Sequence, residues 1–108
     1  MRRCDERREP FAARFAANLR QARRGTGMTQ DEFALLCDVH RTTIGLLERA
    51  ERIPGIDVLV RLAGALEMTP NDLLEGLSWE PDRGGEPLGA YNIGGDAVSC
   101  ESPPARAA

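Results

Sequence analysis

The chain has 108 residues, enough for one domain, and regular apolar spacing runs only from Phe11 to Trp79, so its hydrophobic core is small. A formal net charge of -3 argues against a molecule that grips nucleic acid by bulk charge, but residues 80–108 hold five acids against two arginines while residues 11–79 hold nine against eight. The widely separated Cys4, Cys37 and Cys100 suggest neither a disulfide framework nor a metal cluster, and no apolar run approaches about 18 residues, so a cytoplasmic protein with no membrane partner is expected.

The first helix is expected to start near Pro10-Phe11, because proline lacks an N–H at a position where that group has no helical partner. Phe11, Ala12, Phe15, Leu19 and Ala22 make its apolar stripe. Arg20, Arg23 and Arg24 crowd its end, where cations offset the helix dipole, and Gly25-Thr26-Gly27 stops it. Thr29 with Glu32 three residues on reads as a capping box opening helix 2, and Phe33, Ala34 and Cys37 turn inward. Cys37 reads as a small buried hydrophobe, since no second thiol or histidine stands at ligand spacing.

Asp38 falls where a tight turn between two helices asks for a left-handed backbone, which aspartate tolerates better than most residues. Val39, Ile44 and Leu47 are spaced to pack helix 3 onto helix 2, leaving Arg41, Thr42, Gly45, Leu46 and Arg49 outward. Pro54-Gly55 breaks the chain, and Ile56, Leu59, Val60, Ala63 and Leu66 describe a fourth amphipathic helix. Thr69-Pro70-Asn71-Asp72 supplies an N-cap, a proline at the first helical position and an acid in the first turn, so a fifth helix is expected through Leu73, Leu74 and Leu77. From Glu80 onward the composition is that of a flexible acidic Gly/Pro-rich tail. The exception is Leu88-Gly89-Ala90-Tyr91-Asn92-Ile93, readable as a short strand or as a clip packed on the helices.

Two short helices joined by a tight turn are a way of placing the second in a DNA major groove. Reading a groove needs short or fork-like polar side chains at the start of that helix, and His40-Arg41-Thr42-Thr43 supplies them. Arg41 suits guanine O6 and N7, Thr42 offers a hydroxyl or a methyl, and Leu46 suits either a thymine methyl or a protein partner. Gln30, in the first turn of helix 2, is placed for a phosphate, as are His40, Thr43, Arg49 and Arg52. Together Arg20, Arg23, Arg24, Arg41, Arg49 and Arg52 can make a basic face, and Arg23 and Glu48 lie on helices expected to cross, where an ion pair would orient them. A lone histidine is a poor metal site and has no paired nucleophile, and Gly84-Gly85 and Gly94-Gly95 lack the context of phosphate loops; no metal, cofactor or enzymatic activity is expected.

These residues resemble the helix-turn-helix family of the lambda-repressor and Cro type, also called the xenobiotic-response-element family. Phe15 through Leu74 carries the likeness in register. It runs through Leu19-Arg20 with Arg23, Met28-Thr29-Gln30 with Phe33-Ala34, His40-Arg41-Thr42-Thr43-Ile44 with Leu47-Glu48-Arg49, and the stretch Leu59 to Leu74. The resemblance implies that Gln30 is the phosphate-gripping glutamine, that Arg41, Thr42 and Leu46 face bases, that Arg23 and Glu48 form the interhelical salt bridge, and that the protein binds double-stranded DNA as a homodimer. The family commonly has glycine where this chain has Asp38, Ala50 and Glu67, so these turns are expected to be strained.

The expectation is therefore an all-α, five-helix, lambda-repressor-like DNA-binding domain over residues 11–79, followed by a mostly flexible tail over 80–108 that is free to order on a protein partner. Its expected role is sequence-specific transcriptional regulation, as a repressor or autoregulator. The rival reading is a small protein-interaction module, antitoxin-like or an accessory regulator, whose helices make no productive sequence-specific DNA contact. Helix 5, with Leu73, Leu77 and Trp79, is either a dimer contact or the element that closes the core.

Overall fold

The computed structural model describes residues 8–81 and 89–94. Five helices form the body, α1 (Arg8–Thr26), α2 (Gln30–Cys37), α3 (Arg41–Glu48), α4 (Ile56–Ala65) and α5 (Pro70–Leu73), and a small antiparallel hairpin of β1 (Leu77–Pro81) and β2 (Gly89–Ile93) follows. One core joins the helices: Phe15 and Leu19 from α1, Phe33, Ala34 and Cys37 from α2, Ile44 and Leu47 from α3, Leu62, Ala63 and Leu66 from α4 and its end, and Leu73 from α5.

The helix starts follow from local chemistry. The Thr29 hydroxyl accepts from the Glu32 N–H while the Glu32 carboxylate accepts from the Thr29 N–H, and Thr69 and Asp72 repeat this reciprocal cap at α5. Each box satisfies two backbone donors that a helix start would otherwise leave without a partner. At the end of α2, Asp38 takes the left-handed conformation at φ 61°, and its N–H and that of Val39 return to the carbonyls of Leu35 and Ala34. Ala50 and Glu67 are left-handed as well, at φ 64° and 59°.

Three expectations are corrected. Helix 5 does not continue to Leu77: it ends at Leu73, Gly76 turns the chain at φ 87°, and Leu77 opens β1. Buried Asn18 explains part of this stop, because its Nδ2 donates to the carbonyls of Leu73 at 2.9 Å and Glu75 at 3.1 Å, which an extended helix would need for itself. The inward face of α4 is also rotated from the expected stripe. Leu62, Ala63 and Leu66 are buried and Val58 and Leu59 pack against the core, whereas Ile56 and Val60 stand 81% and 53% exposed.

The third correction concerns the boundary placed after residue 79. The hairpin straddles it, pairing Trp79 with Tyr91 and Leu77 with Ile93, and β2 packs on α1 with the Phe11 and Tyr91 rings 4.7 Å apart. Both readings of Leu88–Ile93 therefore meet in one element over Gly89–Ile93, a strand that is also a clip, while Leu88 lies outside the described residues. Leu73 is fully buried and closes the core, which removes it as a dimer contact; Trp79 remains half exposed, in a T-shaped contact with the Tyr91 ring. The remaining tail, Cys4 and Cys100 lie outside the described residues.

Candidate nucleic-acid interface

The site is built by three helices held at a single buried carboxylate. Glu48, the last residue of α3, is 3% exposed and receives Arg23 Nε on Oε2 at 2.6 Å, Arg23 Nη2 on Oε1 at 3.0 Å and Gln30 Nε2 on Oε1 at 3.0 Å. Arg20 Nη1 donates to the Glu48 backbone carbonyl at 2.7 Å, and Arg23 Nη1 donates to the Met28 carbonyl at 2.8 Å. One acid thus ties the end of α1, the start of α2 and the end of α3. Burial pushes the Glu48 carboxyl up, but the hydrogen bonds from Arg23 and Gln30 and the charges of Arg23 and Arg20 outweigh it, so it lies below the usual carboxylate range. Arg23, hydrogen-bonded to Glu48, is held above its ordinary value despite its own desolvation.

This cluster fixes what α3 presents. Its buried side chains, Ile44, Leu47 and Glu48, face the other helices, and its start faces solvent with His40, Arg41 and Thr42 exposed and Thr43 half-buried. No side-chain hydrogen bond caps α3 at His40, so the first backbone N–H groups of the helix have no side-chain acceptor from that residue. Arg41 Nε lies 2.7 Å from Asp31 Oδ1 in the first turn of α2.

Leu46 is half-buried rather than fully outward, and Gly45 is buried beneath the Arg49 guanidinium, where an added Cβ would stand 3.1 Å from Nη1. That corrects the outward placement of Gly45: the arginine one turn on folds over it. Arg49 Nε also donates to Glu51 at 3.1 Å, and Arg52 is exposed. Arg23 is withdrawn from the expected basic face by its burial against Glu48, and Arg20 is partly withdrawn by its bond to the Glu48 carbonyl.

Gln30 differs from its simple placement at a phosphate. Its amide is committed through one N–H to Glu48, which orients the side chain and leaves the second amide proton for another acceptor. Two contributors were not legible as site residues. The spacing gave Asp31 no role, and Met28 supplies a backbone carbonyl, which no residue type announces.

Among the described residues no group of three or more His, Cys, Asp or Glu is arranged to hold a metal ion, and no helix is long and apolar enough to cross a membrane. Cys37 lies in the core, where desolvation pushes its thiol up to about 11 although the charge of Arg61 pulls it down, so it stays protonated and a weak nucleophile near neutral pH.

Residues 19–73 match the family model described as helix-turn-helix. The chain is 37% identical over 62 residues to the control protein C.BamHI of Bacillus amyloliquefaciens, covering 56% of this chain and 76% of that protein. Among solved structures, the restriction-modification controller protein C.AhdI from Aeromonas hydrophila superposes with a TM-score of 0.56 at 31% identity, over 57% of this chain and 94% of that one. The DNA-binding domain of the P22 C2 repressor gives 0.56 at 27% identity, over 57% and 82%.

Proposed function

The chain belongs to the helix-turn-helix family, and on that premise we propose that it is a sequence-specific DNA-binding transcriptional regulator, acting as a repressor or autoregulator in the cytoplasm. The observation that carries this reading is the Glu48 cluster. It fixes α3 against α1 and α2 so that Arg41 and Thr42 face outward from the start of an eight-residue helix. The similar proteins, a control protein, a restriction-modification controller and the DNA-binding domain of a repressor, support the regulatory role.

In this reading Arg41 and Thr42 contact base edges and half-buried Leu46 meets a thymine methyl. Gln30, through its remaining amide proton, joins His40, Thr43, Arg49 and Arg52 on phosphates. The protein acts as a homodimer that places two copies of α3 in successive major grooves, about 34 Å apart. Ile56 and Val60, one helical turn apart and exposed, are apolar surface that self-association would cover. No catalytic step and no cofactor belong to this role.

The test is selection from random duplex DNA, repeated at two salt concentrations, with Arg41→Ala and Gln30→Ala as controls. The expected result is a two-fold symmetric consensus that changes with Arg41→Ala, while Gln30→Ala weakens all sequences alike. Absence of enrichment, or uniform salt-sensitive binding only, would favour the protein-interaction module instead.

A further inference from the structure

Arg41 does not stand alone at the start of α3. Its Nε lies 2.7 Å from Asp31 Oδ1, and both side chains are open to water, 65% and 71% exposed. The neighbouring acid Glu32 is engaged in the cap on the Thr29 N–H, which leaves Asp31 as the carboxylate of that turn facing α3. Nothing in the packing demands the pair: it bridges two helix starts already fixed by the Glu48 cluster and by the core.

We infer that Asp31 is a specificity-determining positioning residue, one that engages Arg41 at Nε and so keeps the guanidinium poised for a base edge with two acceptors, which is read while the ion pair persists. This rests on the reading of α3 as a DNA-recognition helix. An arginine without a partner is attracted to any phosphate, so it raises affinity for all sequences and adds little discrimination. With Asp31 holding Nε, Arg41 must give up the ion pair to swing to a phosphate, so that contact gains little. Guanine, offering O6 and N7 to two other guanidinium N–H groups at once, is met with the ion pair kept and gains more. The carboxylate would thus hold down binding to unrelated duplexes more than binding to the right one, a repulsive element used for selectivity.

The experiment compares the full chain with Asp31→Asn, Arg41→Ala and the double variant. Each is titrated with the duplex selected by the wild type and with a mixed-sequence duplex of equal length. Asp31→Asn is expected to narrow the affinity ratio between the two duplexes about twofold to fivefold, the range available to an exposed ion pair. Most of the change should come from tighter mixed-sequence binding, and the narrowing should vanish in the Arg41→Ala background. An equal effect of Asp31→Asn with and without Arg41 would overturn the inference, because the acid would then act only as a general negative charge near DNA. An unchanged ratio in a wild type that does select a consensus would overturn it while leaving the DNA reading intact. A wild type that binds neither duplex would overturn both. Thermal melting of all four proteins separates these outcomes from the loss of an acid at the start of α2, since a purely structural effect lowers melting without depending on Arg41.

Discussion

Removing the Glu48 carboxylate by Glu48→Ala strips three side-chain hydrogen bonds at once, two from Arg23 and one from Gln30. The guanidinium left behind is only 12% exposed, so it stays largely out of water with its counter-charge gone. Breaking a buried pair from one side costs about 3–5 kcal/mol. Arg23 keeps one bond, to the Met28 carbonyl, and its stem is long enough to move toward solvent, which places the expectation at the lower end, about 3 kcal/mol. In a chain of this size each kcal/mol moves Tm by roughly 4–8 °C, so a fall of more than about 10 °C should follow. Urea unfolding of the wild type, Glu48→Ala, Arg23→Ala and the double variant measures this directly. The two single changes should be strongly non-additive, the double variant costing less than their sum. A loss below about 1 kcal/mol for Glu48→Ala, or simple additivity, would refute the role of Glu48 as the junction of the three helices.

The same carboxylate sets an acid limit. Its folded pKa is below the ordinary value of 4.5, so the stabilisation is fully present above that pH and is lost as pH falls through the folded value; wild-type Tm should drop below about pH 4.5, and Glu48→Gln should drop less. Equal acid slopes for the two proteins would count against it. Replacing Ala50 with glycine relieves a left-handed residue at φ 64° and should stabilise by up to about 1 kcal/mol, with Asp38→Gly gaining less because aspartate tolerates that region better; thermal melting reads both. In a Cys4→Ser, Cys100→Ser background, Cys37 should react with iodoacetamide at pH 8 far more slowly than a free thiol and at normal speed once urea unfolds the chain; fast labelling of the folded protein would contradict its burial.

The parts of the fold that the sequence announced are those set by short-range chemistry. Thr29 and Glu32, or Thr69 and Asp72, sit three residues apart and complete their caps without reference to the rest of the molecule. The left-handed turn at Asp38 was readable from the residue and its place between two helices, but those at Ala50 and Glu67 were expected only from the family likeness, since nothing about an alanine or a glutamate asks for φ near 60°. What stayed hidden depends on long-range partners. Asn18 meets the Leu73 and Glu75 carbonyls across more than fifty residues, and without that contact the leucines of helix 5 read as a longer helix. The face of α4 is ambiguous for a related reason. Leu59, Ala63 and Leu66 belong to both candidate stripes, which differ in whether Ile56 and Val60 or Val58 and Leu62 flank them, and packing against α2 and α5 selects the second. At the interface, the spacing indicated Arg41, Gln30 and the Arg23–Glu48 pair as candidates, but not that Gln30 would lean on Glu48 or that Arg41 would lie against Asp31.

The hairpin has a kinetic consequence. Tyr91 reaches Phe11 from nearly the opposite end of the described chain, and its strand partner β1 begins only after Gly76 has turned the chain out of α5. A contact of such sequence separation closes its loop at high entropic cost until the intervening helices have already brought its ends together. The two strands should therefore dock last on folding and open first in native-state hydrogen exchange. The amides of β1 and β2 would then exchange by a local opening of lower free energy than those of α1 to α4, as a separate cooperative unit resting on the helical body.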